Sequence, residues 1–231
     1  KQICGIFQIE MNITNERIIE YTDKFYRPVS EKLGELRNIE EKAGIPVIRK
    51  DTESLIISLL YILKPKRILE IGTGSGYSAT VMASVCPKST ILTVEKDQRA
   101  VRRATSNFHE AGLSDRVSIL HGDGREVISD LAEELNKKEV DPFDFIFIDA
   151  AKSHYMDFFN ESIKVSHAGT LILCDNILLD GITADERYLK SRRDRTSMNR
   201  MKEFLEYINE TEKGDTFVLP MGDGVSLTYV K

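Results

Sequence analysis

The chain has 231 residues and a net charge of -5, with 41% hydrophobic and 30% charged residues; these values suit one α/β domain with a full core and give no general case for nucleic-acid binding. No apolar run approaches the ~18–20 residues of a membrane-spanning helix, and no small-residue cleavage site follows the apolar stretch Ile3–Ile9, so we expect neither a span nor a signal peptide. The three cysteines, Cys4, Cys86 and Cys174, lack a CxxC spacing, which argues against a zinc site or a disulfide framework and favours a cytoplasmic protein.

Three helices are predicted at the start of the chain. The first runs from Asn15 to about Tyr26 and ends before Pro28, because proline disfavours the helical conformation at the residue before it. The second, Ser30–Ala43, begins with a serine suited to cap a helix and is followed by a glycine, a common helix stop. The third, Thr52–Leu63, carries its leucines and isoleucine at helical spacing.

From residue 67 onward, short apolar strands alternate with longer helical stretches. The strands are predicted at Arg67–Ile71, Thr90–Val94, Val117–Leu120, Phe143–Ile148, Thr170–Cys174, Thr216–Leu219 and Val225–Val230. Helix-length crossovers separate the first five, which indicates parallel pairing, whereas the short turn Pro220–Gly224 makes the last two antiparallel. We therefore predict a Rossmann-like α/β fold with a seven-stranded, mostly parallel sheet and an antiparallel C-terminal hairpin. Residues 1–231 are expected to form a single domain, with an N-terminal helical segment to about residue 64 and an α/β core over about 65–231.

A glycine-rich loop follows the first strand, with glycines at Gly72, Gly74 and Gly76. Glycine allows the backbone to turn sharply and to approach a ligand closely. The dinucleotide fingerprint needs its third glycine where this chain has Tyr77, and Glu70 at the strand end would repel a pyrophosphate. S-adenosylmethionine (SAM) presents an ammonium group and no phosphate, so the loop favours SAM over a nicotinamide or flavin cofactor.

Acidic residues lie at the ends of the next two strands. Glu95 ends the second strand, where a carboxylate can accept hydrogen bonds from both ribose hydroxyls of a nucleoside cofactor. Asp123, in the turn His121–Gly124, or the adjoining backbone is placed to meet the adenine edge. The structural alternatives are an exposed strand-end carboxylate at Glu95 and an ordinary turn residue at Asp123. Together with the glycine loop, these positions predict SAM as the cofactor.

Oxygen ligands follow the fourth and fifth strands. Asp149 follows the fourth, and Asp175 and Asn176 follow the fifth; the carboxyl ends of such strands border the usual ligand crevice. Two carboxylates and an amide suit Mg²⁺, or Mn²⁺ or Ca²⁺ in its place, better than zinc. An acceptor with two adjacent oxygens could chelate this ion, and Lys152 would remove the hydroxyl proton or stabilise the oxyanion. The alternatives are a turn cap at Asp175 and Asn176 and a surface lysine at Lys152.

The segments Leu69–Ser78, Phe147–Lys152 and Asp175–Gly181 together resemble the cation-dependent O-methyltransferases of the catechol and caffeoyl-CoA type. The resemblance covers roughly residues 45–231 and departs from the plant enzymes at Ala151, where they carry a second acid, and at Glu53–Ser54, where they carry Gly-Gln. It implies a metal site at Asp149, Asp175 and Asn176, and a catalytic role for Lys152, as the base, and for Asp149. The SAM contacts that it implies come from Ile48, Glu70, Gly72, Thr73, Ser78, Glu95, Asp123 or Gly124, and Asp149.

The segments Glu40–Ile48, Ile148–Tyr155 and Pro220–Gly224, with the Lys/Arg-rich stretch after Gly181, resemble one branch of that family most closely. Its members are bacterial enzymes that methylate 5-hydroxyuridine at the tRNA wobble position to 5-methoxyuridine. This resemblance implies that the basic segment Arg187–Lys202 contacts anticodon-stem phosphates, for which a solvated helix face is the alternative. A small-molecule O-methyltransferase of the catechol type is the second functional hypothesis, and a non-catalytic nucleotide-binding module is the third. Family analogy further predicts a homodimer that uses the N-terminal helices.

Overall fold

Three helices precede the sheet, close to the positions predicted for them. The computed structural model describes residues 16–189 and 191–231. In it α1 (Glu16–Thr22) continues into a 3₁₀ turn at Asp23–Phe25, and α2 (Glu31–Lys42) and α3 (Lys50–Leu63) follow. Ser30 caps α2, because its hydroxyl oxygen accepts a hydrogen bond from the backbone N–H of Leu33 at 3.3 Å.

Seven strands form one sheet. They are β1 (Arg67–Ile71), β2 (Thr90–Glu95), β3 (Val117–His121), β4 (Phe143–Ile148), β5 (Ser166–Asp175), β6 (Gly214–Leu219) and β7 (Val225–Val230). Their order is β3-β2-β1-β4-β5-β7-β6; β1 to β5 pair in parallel, and β7 is antiparallel to both β5 and β6. The predicted sheet is confirmed. β5 begins at Ser166 rather than at Thr170, because Ser166 pairs with Phe143 of β4 beyond a β-bulge.

Helices cover both faces of the sheet. The remaining ones are α4 (Tyr77–Val85), α5 (Gln98–Glu110), α6 (Gly124–Asn136), α7 (Tyr155–Lys164) and α8 (Arg192–Glu210). One apolar core joins α2, α3, α4 and α5 to one face, and a second core joins α6, α7 and α8 to the other. The central strand β4 is buried on both faces, as Phe145 and Ile146 illustrate, and its sequence is accordingly almost continuously apolar.

This topology brings the predicted site residues to one edge of the sheet. Because β1 lies between β2 and β4, the strand order reverses there and leaves a crevice beyond the carboxyl ends of these strands. Residues from five strand ends meet at that edge: Gly72, Glu95, Asp123, Asp149 and Asp175. The fold therefore places the candidate cofactor and metal residues in one region.

Two cysteines, Cys86 and Cys174, are free and buried. Cys4, the start of the first predicted helix and Lys190 of the basic segment lie outside the described residues. Within the described ranges, no helix has the length and apolar character that crossing a bilayer would require.

Candidate active site

The glycine-rich loop passes directly over the end of β4. Its three glycines have positive φ angles, +101° at Gly72, +55° at Gly74 and +84° at Gly76. At Gly72 a Cβ atom would lie 2.0 Å from the carbonyl oxygen of Asp149, so the two backbones approach as closely as only glycine permits. The loop of the candidate cofactor site is therefore in direct backbone contact with Asp149 of the candidate metal site.

A cavity of about 420 Å³ opens between this loop and the ends of β2, β3 and β4. Its lining includes eight of the residues predicted to bind the cofactor: Ile48, Gly72, Thr73, Ser78, Glu95, Asp123, Gly124 and Asp149. A volume of this order accommodates a small nucleoside cofactor. The structure brings these residues together, and their individual contacts to a cofactor stay predictions.

Glu70 occupies a different position from the other predicted cofactor residues. Its side chain is fully buried behind the loop and accepts hydrogen bonds from the hydroxyls of Ser78 and Thr93. Burial raises the pKa of Glu70 to about 8, although both hydroxyls lower it. The cavity wall at this point is formed by Ile71 and Ser78, so Glu70 faces the cavity through Ser78 and not directly.

Glu95 and Asp123 bind neighbouring groups of the protein at the cavity wall. Glu95 accepts hydrogen bonds from the backbone N–H of Gly74 at 2.9 Å and of Lys96 at 2.8 Å. Asp123 caps α6 and accepts hydrogen bonds from Arg125 and from the Lys96 ammonium, at 2.9 Å each. These two side chains hold the pKa of Asp123 well below its usual range. Asp123 thus shapes its turn, as the structural alternative requires, and also lines the cavity.

An ammonium group lies among the predicted metal ligands. Lys152 Nζ is 2.7 Å from Asp149 Oδ1, 2.7 Å from Asn176 Oδ1 and 2.8 Å from the hydroxyl of Tyr155. Tyr155 is itself buried, and its hydroxyl donates to the backbone carbonyl of Asp175 at 2.7 Å. The side chain of Lys152 is only 24% exposed. Its three oxygen partners distinguish it from an ordinary surface lysine.

Asp175 is buried beside this cluster, with 1% of its surface exposed. One carboxylate oxygen accepts a hydrogen bond from the backbone N–H of Asn176 at 2.7 Å. Burial and, to a smaller extent, the neighbouring charge of Asp149 hold the pKa of Asp175 well above its usual value, against the lowering effect of Lys152. Two neighbouring carboxylates of this kind require a nearby cation if both are to be ionised.

The donor set suits a hard divalent cation. Asp149, Asp175 and Asn176 provide oxygen ligands only, and two of these residues already surround the positive charge of Lys152. In the described part of the chain, no three His, Cys, Asp or Glu side chains are grouped as a metal site requires. An ion here would thus depend on the amide oxygen of Asn176. The residues fit a cation of the Mg²⁺ type better than zinc.

Two smaller cavities, of about 340 and 270 Å³, adjoin Lys152. The first is also lined by Arg125 and Arg200, and the second by residues of the loop after β5 and of the start of α8. Asp149 lines the cavity beside the glycine loop, whereas its partner Lys152 lines both smaller cavities. The Asp149–Lys152 pair therefore stands between the candidate cofactor cavity and the space open to an acceptor.

The basic segment Arg187–Lys202 comprises the start of α8 and the turn before it. Part of its charge is paired with the residue that precedes it, since Lys202 Nζ lies 3.9 Å from Glu186 Oε1. Arg200 donates to the backbone carbonyl of Ser153 at 3.1 Å, next to Lys152 in sequence. The side chains at positions 192 and 193 lie outside the described residues. A contact between this segment and tRNA phosphates stays a prediction.

Several site residues were not anticipated from the sequence. Tyr155 holds Lys152, and the rings of His154 and Phe158 line the cofactor cavity with their centroids 6.1 Å apart. Tyr155 and His154 lie in the motif Ile148–Tyr155, and Phe158 lies four residues after His154, on the same face of a helical turn. Helical spacing after the strand-end acid was therefore the signal that could have revealed them.

The sequence profile of a family described as O-methyltransferase matches residues 26–231. The chain is 35% identical over 182 residues to a catechol O-methyltransferase of Niastella koreensis, covering 74% of this chain and 79% of the relative. It is 28% identical over 219 residues to a caffeoyl-CoA O-methyltransferase of Populus kitakamiensis, covering 90% and 89% respectively. Among solved structures, the SAH-bound (S-adenosylhomocysteine-bound) Podospora anserina methyltransferase PaMTH1 has a TM-score of 0.83 at 26% identity, covering 100% of this chain and 99% of that chain.

Proposed function

The chain belongs to the O-methyltransferase family as a SAM-dependent enzyme of the catechol/caffeoyl-CoA type, and from this premise we propose that it methylates one hydroxyl of an acceptor that carries two adjacent oxygens. The observation that carries the proposal is the Asp149–Lys152 pair: Asp149 lines the cofactor cavity, Lys152 lines the two smaller cavities, and the two side chains are in contact at 2.7 Å. Asn176 and the buried Asp175 add oxygen donors at the same place.

The cavity of about 420 Å³ beside the glycine loop is assigned to SAM, which supplies the methyl group. The Glu95 carboxylate accepts hydrogen bonds from the ribose hydroxyls, and Asp123 or the backbone at Gly124 contacts the adenine edge. The glycine loop surrounds the amino-acid end, which Glu70 supports through Ser78. The assignment is supported by the cavity volume and by the shared lining of the predicted residues.

The metal site is assigned to Asp149, Asp175 and Asn176, which would hold Mg²⁺, or Mn²⁺ or Ca²⁺ in its place. When bound, the ion lowers the pKa of the acceptor hydroxyl and fixes the two adjacent oxygens in one orientation. The assignment is supported by the oxygen-only donor set and by the burial of Asp175 beside the charge of Asp149.

Lys152 either removes the proton of the acceptor hydroxyl or stabilises the oxyanion that loss of this proton leaves. As a neutral amine it accepts the proton, and as an ammonium it stabilises the oxyanion. Hydrogen bonds to Asp149, Asn176 and Tyr155 hold Nζ in a fixed position among these side chains. Either role requires this fixed position, because proton transfer and charge stabilisation both fall steeply with distance.

Two acceptor classes fit a site for adjacent oxygens. A small catechol-type acceptor is favoured by the similarity to catechol and caffeoyl-CoA O-methyltransferases. The second candidate is 5-hydroxyuridine at the tRNA wobble position, whose O5 and O4 form a comparable pair. It is favoured by the position of α8, which borders both cavities beside Lys152. Asp194 and Ser197 near the start of α8 line one of them, and Arg200 lines the other.

A transfer assay tests the proposed function and separates the acceptors. The protein is incubated with labelled SAM, Mg²⁺ and either a catechol series, caffeoyl-CoA or tRNA from a strain lacking this gene. Mass spectrometry then locates the label. A methyl group on one oxygen of an adjacent pair is the expected product, and 5-methoxyuridine in tRNA would select the second acceptor. Methylation of isolated hydroxyls as efficiently as adjacent ones would contradict the proposal.

Metal removal provides a separate prediction. EDTA should abolish transfer, and Mg²⁺ or Mn²⁺ should restore it, whereas calorimetric SAM binding should largely survive chelation. Asp175→Ala and Asn176→Ala should each reproduce most of the loss, because each removes one of three protein ligands. Full turnover by the wild-type protein in EDTA would overturn the metal assignment.

The remaining expectations concern the protein as a whole. A homodimer through the N-terminal helices is supported by exposed apolar side chains there, including Tyr21, Phe25 and Ile62. Light scattering coupled to size-exclusion chromatography measures the mass directly, and Phe25→Glu with Ile62→Glu should shift a dimer to monomer. The single-domain organisation predicts one cooperative unfolding transition, and the cytoplasmic location is open to fractionation of the source cells.

A further inference from the structure

A buried arginine connects the N-terminal helices to the cofactor cavity. Arg37 of α2 is 3% exposed, and its guanidinium group makes four hydrogen bonds. Nη2 donates to the carboxylate of Glu53 in α3 and, at 2.8 Å, to the backbone carbonyl of Ile48. Nε donates to the hydroxyl of Tyr77 at 3.2 Å, and Nη1 donates to Glu41 at 2.9 Å. One side chain thus links α2, the segment before α3, α3 itself and α4.

Two tyrosines enclose this arginine. Arg37 Cζ lies 5.4 Å from the ring centroid of Tyr26 and 4.9 Å from that of Tyr77, distances at which a guanidinium is attracted to an aromatic face. Both hydroxyls donate to Glu53, at 2.7 Å from Tyr26 and 3.0 Å from Tyr77. Glu53 is 0% exposed, so the ion pair is removed from solvent and its members are held from several sides.

The placement of the hydrogen bonds indicates more than stabilisation of the fold. Withdrawing both charges from water is costly, and an apolar pair of similar volume often stabilises a protein equally well. Four of the five N–H donors of Arg37 are used. Two of their acceptors belong to residues that line the cofactor cavity, Ile48 and Tyr77. Arg37 therefore fixes two residues of the cavity lining, Tyr77 through its hydroxyl and Ile48 through its backbone carbonyl.

We infer that Arg37 is a positioning residue for SAM: with Glu53 it holds the Ile48 carbonyl and the Tyr77 ring, and so sets the shape of the cofactor cavity. Tyr77 is the first residue of α4 and directly follows the glycine loop, and the Ile48 segment leads into α3. Lys152 is held by a separate set of oxygens. The network therefore acts on SAM affinity and not on the transfer step. The inference rests on the proposed assignment of this cavity to SAM.

Calorimetric titration with SAH measures this effect without turnover. Arg37→Leu should raise the Kd by about 10- to 100-fold, the range expected when hydrogen bonds to a charged group are lost. Arg37→Lys keeps the charge but not the fork of donors, so its Kd should rise less. The kcat at saturating SAM should stay within about twofold of the wild-type value, while KM for SAM follows the Kd.

Arg116 provides a matched control, because it is a partly buried arginine that contacts the C-terminal end of α4, whereas Arg37 contacts Tyr77 at its start. Its guanidinium group donates to the backbone carbonyls of Ala83, Cys86 and Ser89, at 3.3 Å each. Arg116→Leu should lower the melting temperature, as Arg37→Leu does, and leave the SAH Kd unchanged. Amide hydrogen exchange at residues 45–49, measured without ligand, should accelerate in Arg37→Leu and stay unchanged in Arg116→Leu.

The outcomes are separable even if one variant is unstable. Should Arg37→Leu fail to fold, the Kd values for SAH of Arg37→Lys and Tyr77→Phe test the inference instead. Tyr77→Phe removes only the hydroxyl that contacts both Arg37 and Glu53. An unchanged Kd in the folded variants, or an equal rise in Arg116→Leu, overturns the inference. Failure of the wild-type protein to bind SAH would instead overturn the cofactor assignment itself.

Discussion

Lys152 and Glu70 are ionisable residues near the ends of central strands, yet their surroundings differ. The ammonium of Lys152 contacts three oxygen atoms and keeps part of its surface open. The carboxyl of Glu70 is fully buried, and its hydrogen bonds come from hydroxyl groups, which can donate to or accept from either protonation state. Lys152 is thus suited to act on a reacting atom, and Glu70 to respond to a charge brought into the neighbouring cavity.

Replacement of Lys152 tests its proposed role. Lys152→Met keeps the length of the side chain but removes the charge and the proton acceptor, so kcat should fall by about 10²- to 10⁴-fold. SAM affinity should change little, because Lys152 lines the smaller cavities. Lys164→Met, at an exposed lysine paired with Glu161 at 2.6 Å, is the control and should retain activity. A Lys152→Met enzyme with normal kcat would remove this residue from the mechanism.

Glu70 predicts a pH dependence of SAM binding. Burial raises its pKa to about 8 from an ordinary value of 4.5, so the free protein holds a proton there at neutral pH. The positive charges of SAM favour the carboxylate, and binding should therefore release a proton and strengthen as pH rises toward about 8. Calorimetry in buffers of different ionisation enthalpy measures this release.

Glu70→Gln is the matching variant, because it keeps the shape of the side chain and cannot titrate. It should abolish both the proton release and the rise of affinity with pH. The same raised pKa means that the ligand-free wild-type fold loses stability as pH rises from about 4.5 through about 8, and the variant should lack that loss. Identical binding curves for the two proteins would contradict this account.

At the scale of elements, the loop after β1 extends the sheet beyond its last strand residues. Gly72 donates its backbone N–H to Val94 in β2, and Asp149 donates to Ile71 in β1, both at 2.9 Å. These bonds continue the parallel ladder on both sides of β1 past the end of the strand. The position of the glycine loop is consequently determined by β2 and β4 and not by the loop sequence alone.

Two loop glycines give a matched prediction. Gly72→Ala combines a φ of +101° with a Cβ that would lie 2.0 Å from the Asp149 carbonyl, so the free energy of unfolding should fall by at least about 3 kcal/mol. Gly74 has a φ of +55° and open space around its Cβ position. Gly74→Ala should cost only about 1–2 kcal/mol, the strain of the left-handed conformation. Urea denaturation measures both, and equal losses would show that the contact with Asp149 can relax.

At the scale of the whole molecule, two basic helices lie on opposite faces of the sheet. The start of α8 borders the cavities beside Lys152, whereas α5 belongs to the core on the other face. Charge on α8 is therefore near the proposed acceptor site, and charge on α5 is remote from it. The net charge of the chain is -5 and does not reflect this uneven distribution. The basic residues of α8 affect acceptor binding only if the acceptor is polyanionic.

Charge reversal on α8 distinguishes the two acceptor classes. If tRNA is the acceptor, Arg195→Glu with Lys202→Glu should raise the KM for tRNA and flatten its salt dependence, because fewer counterions are released on binding. Turnover of a small catechol should stay near the wild-type value. Arg99→Glu with Arg102→Glu on α5 is the control and should alter neither. Unchanged tRNA kinetics across salt in the α8 variant would identify the segment as a solvated helix face and favour the small-molecule acceptor.

The order of the elements and the sheet edge at which the candidate site residues meet were predictable from local patterns. Apolar runs separated by helix-length stretches leave few ways to build a parallel sheet, and the acids at the carboxyl ends of β2, β4 and β5 then meet at one edge. Glu95, Asp149 and Asp175 could therefore be selected from their sequence positions alone. The glycine spacing similarly indicated the cofactor class, because it reflects backbone geometry within one short loop.

The tertiary structure decided which of these groups touch and which are hidden. Lys152 lies between Asp149 and Asn176 because Tyr155 packs beneath it, and no short-range pattern encodes that contact between separate strands. Glu70 is buried behind Ser78, and Arg37 reaches Tyr77 forty residues away. Such contacts depend on how helices pack on the sheet and which rotamers the packing permits. Sequence periodicity specifies the buried face of an element, whereas the partners on that face are set only when the layers assemble.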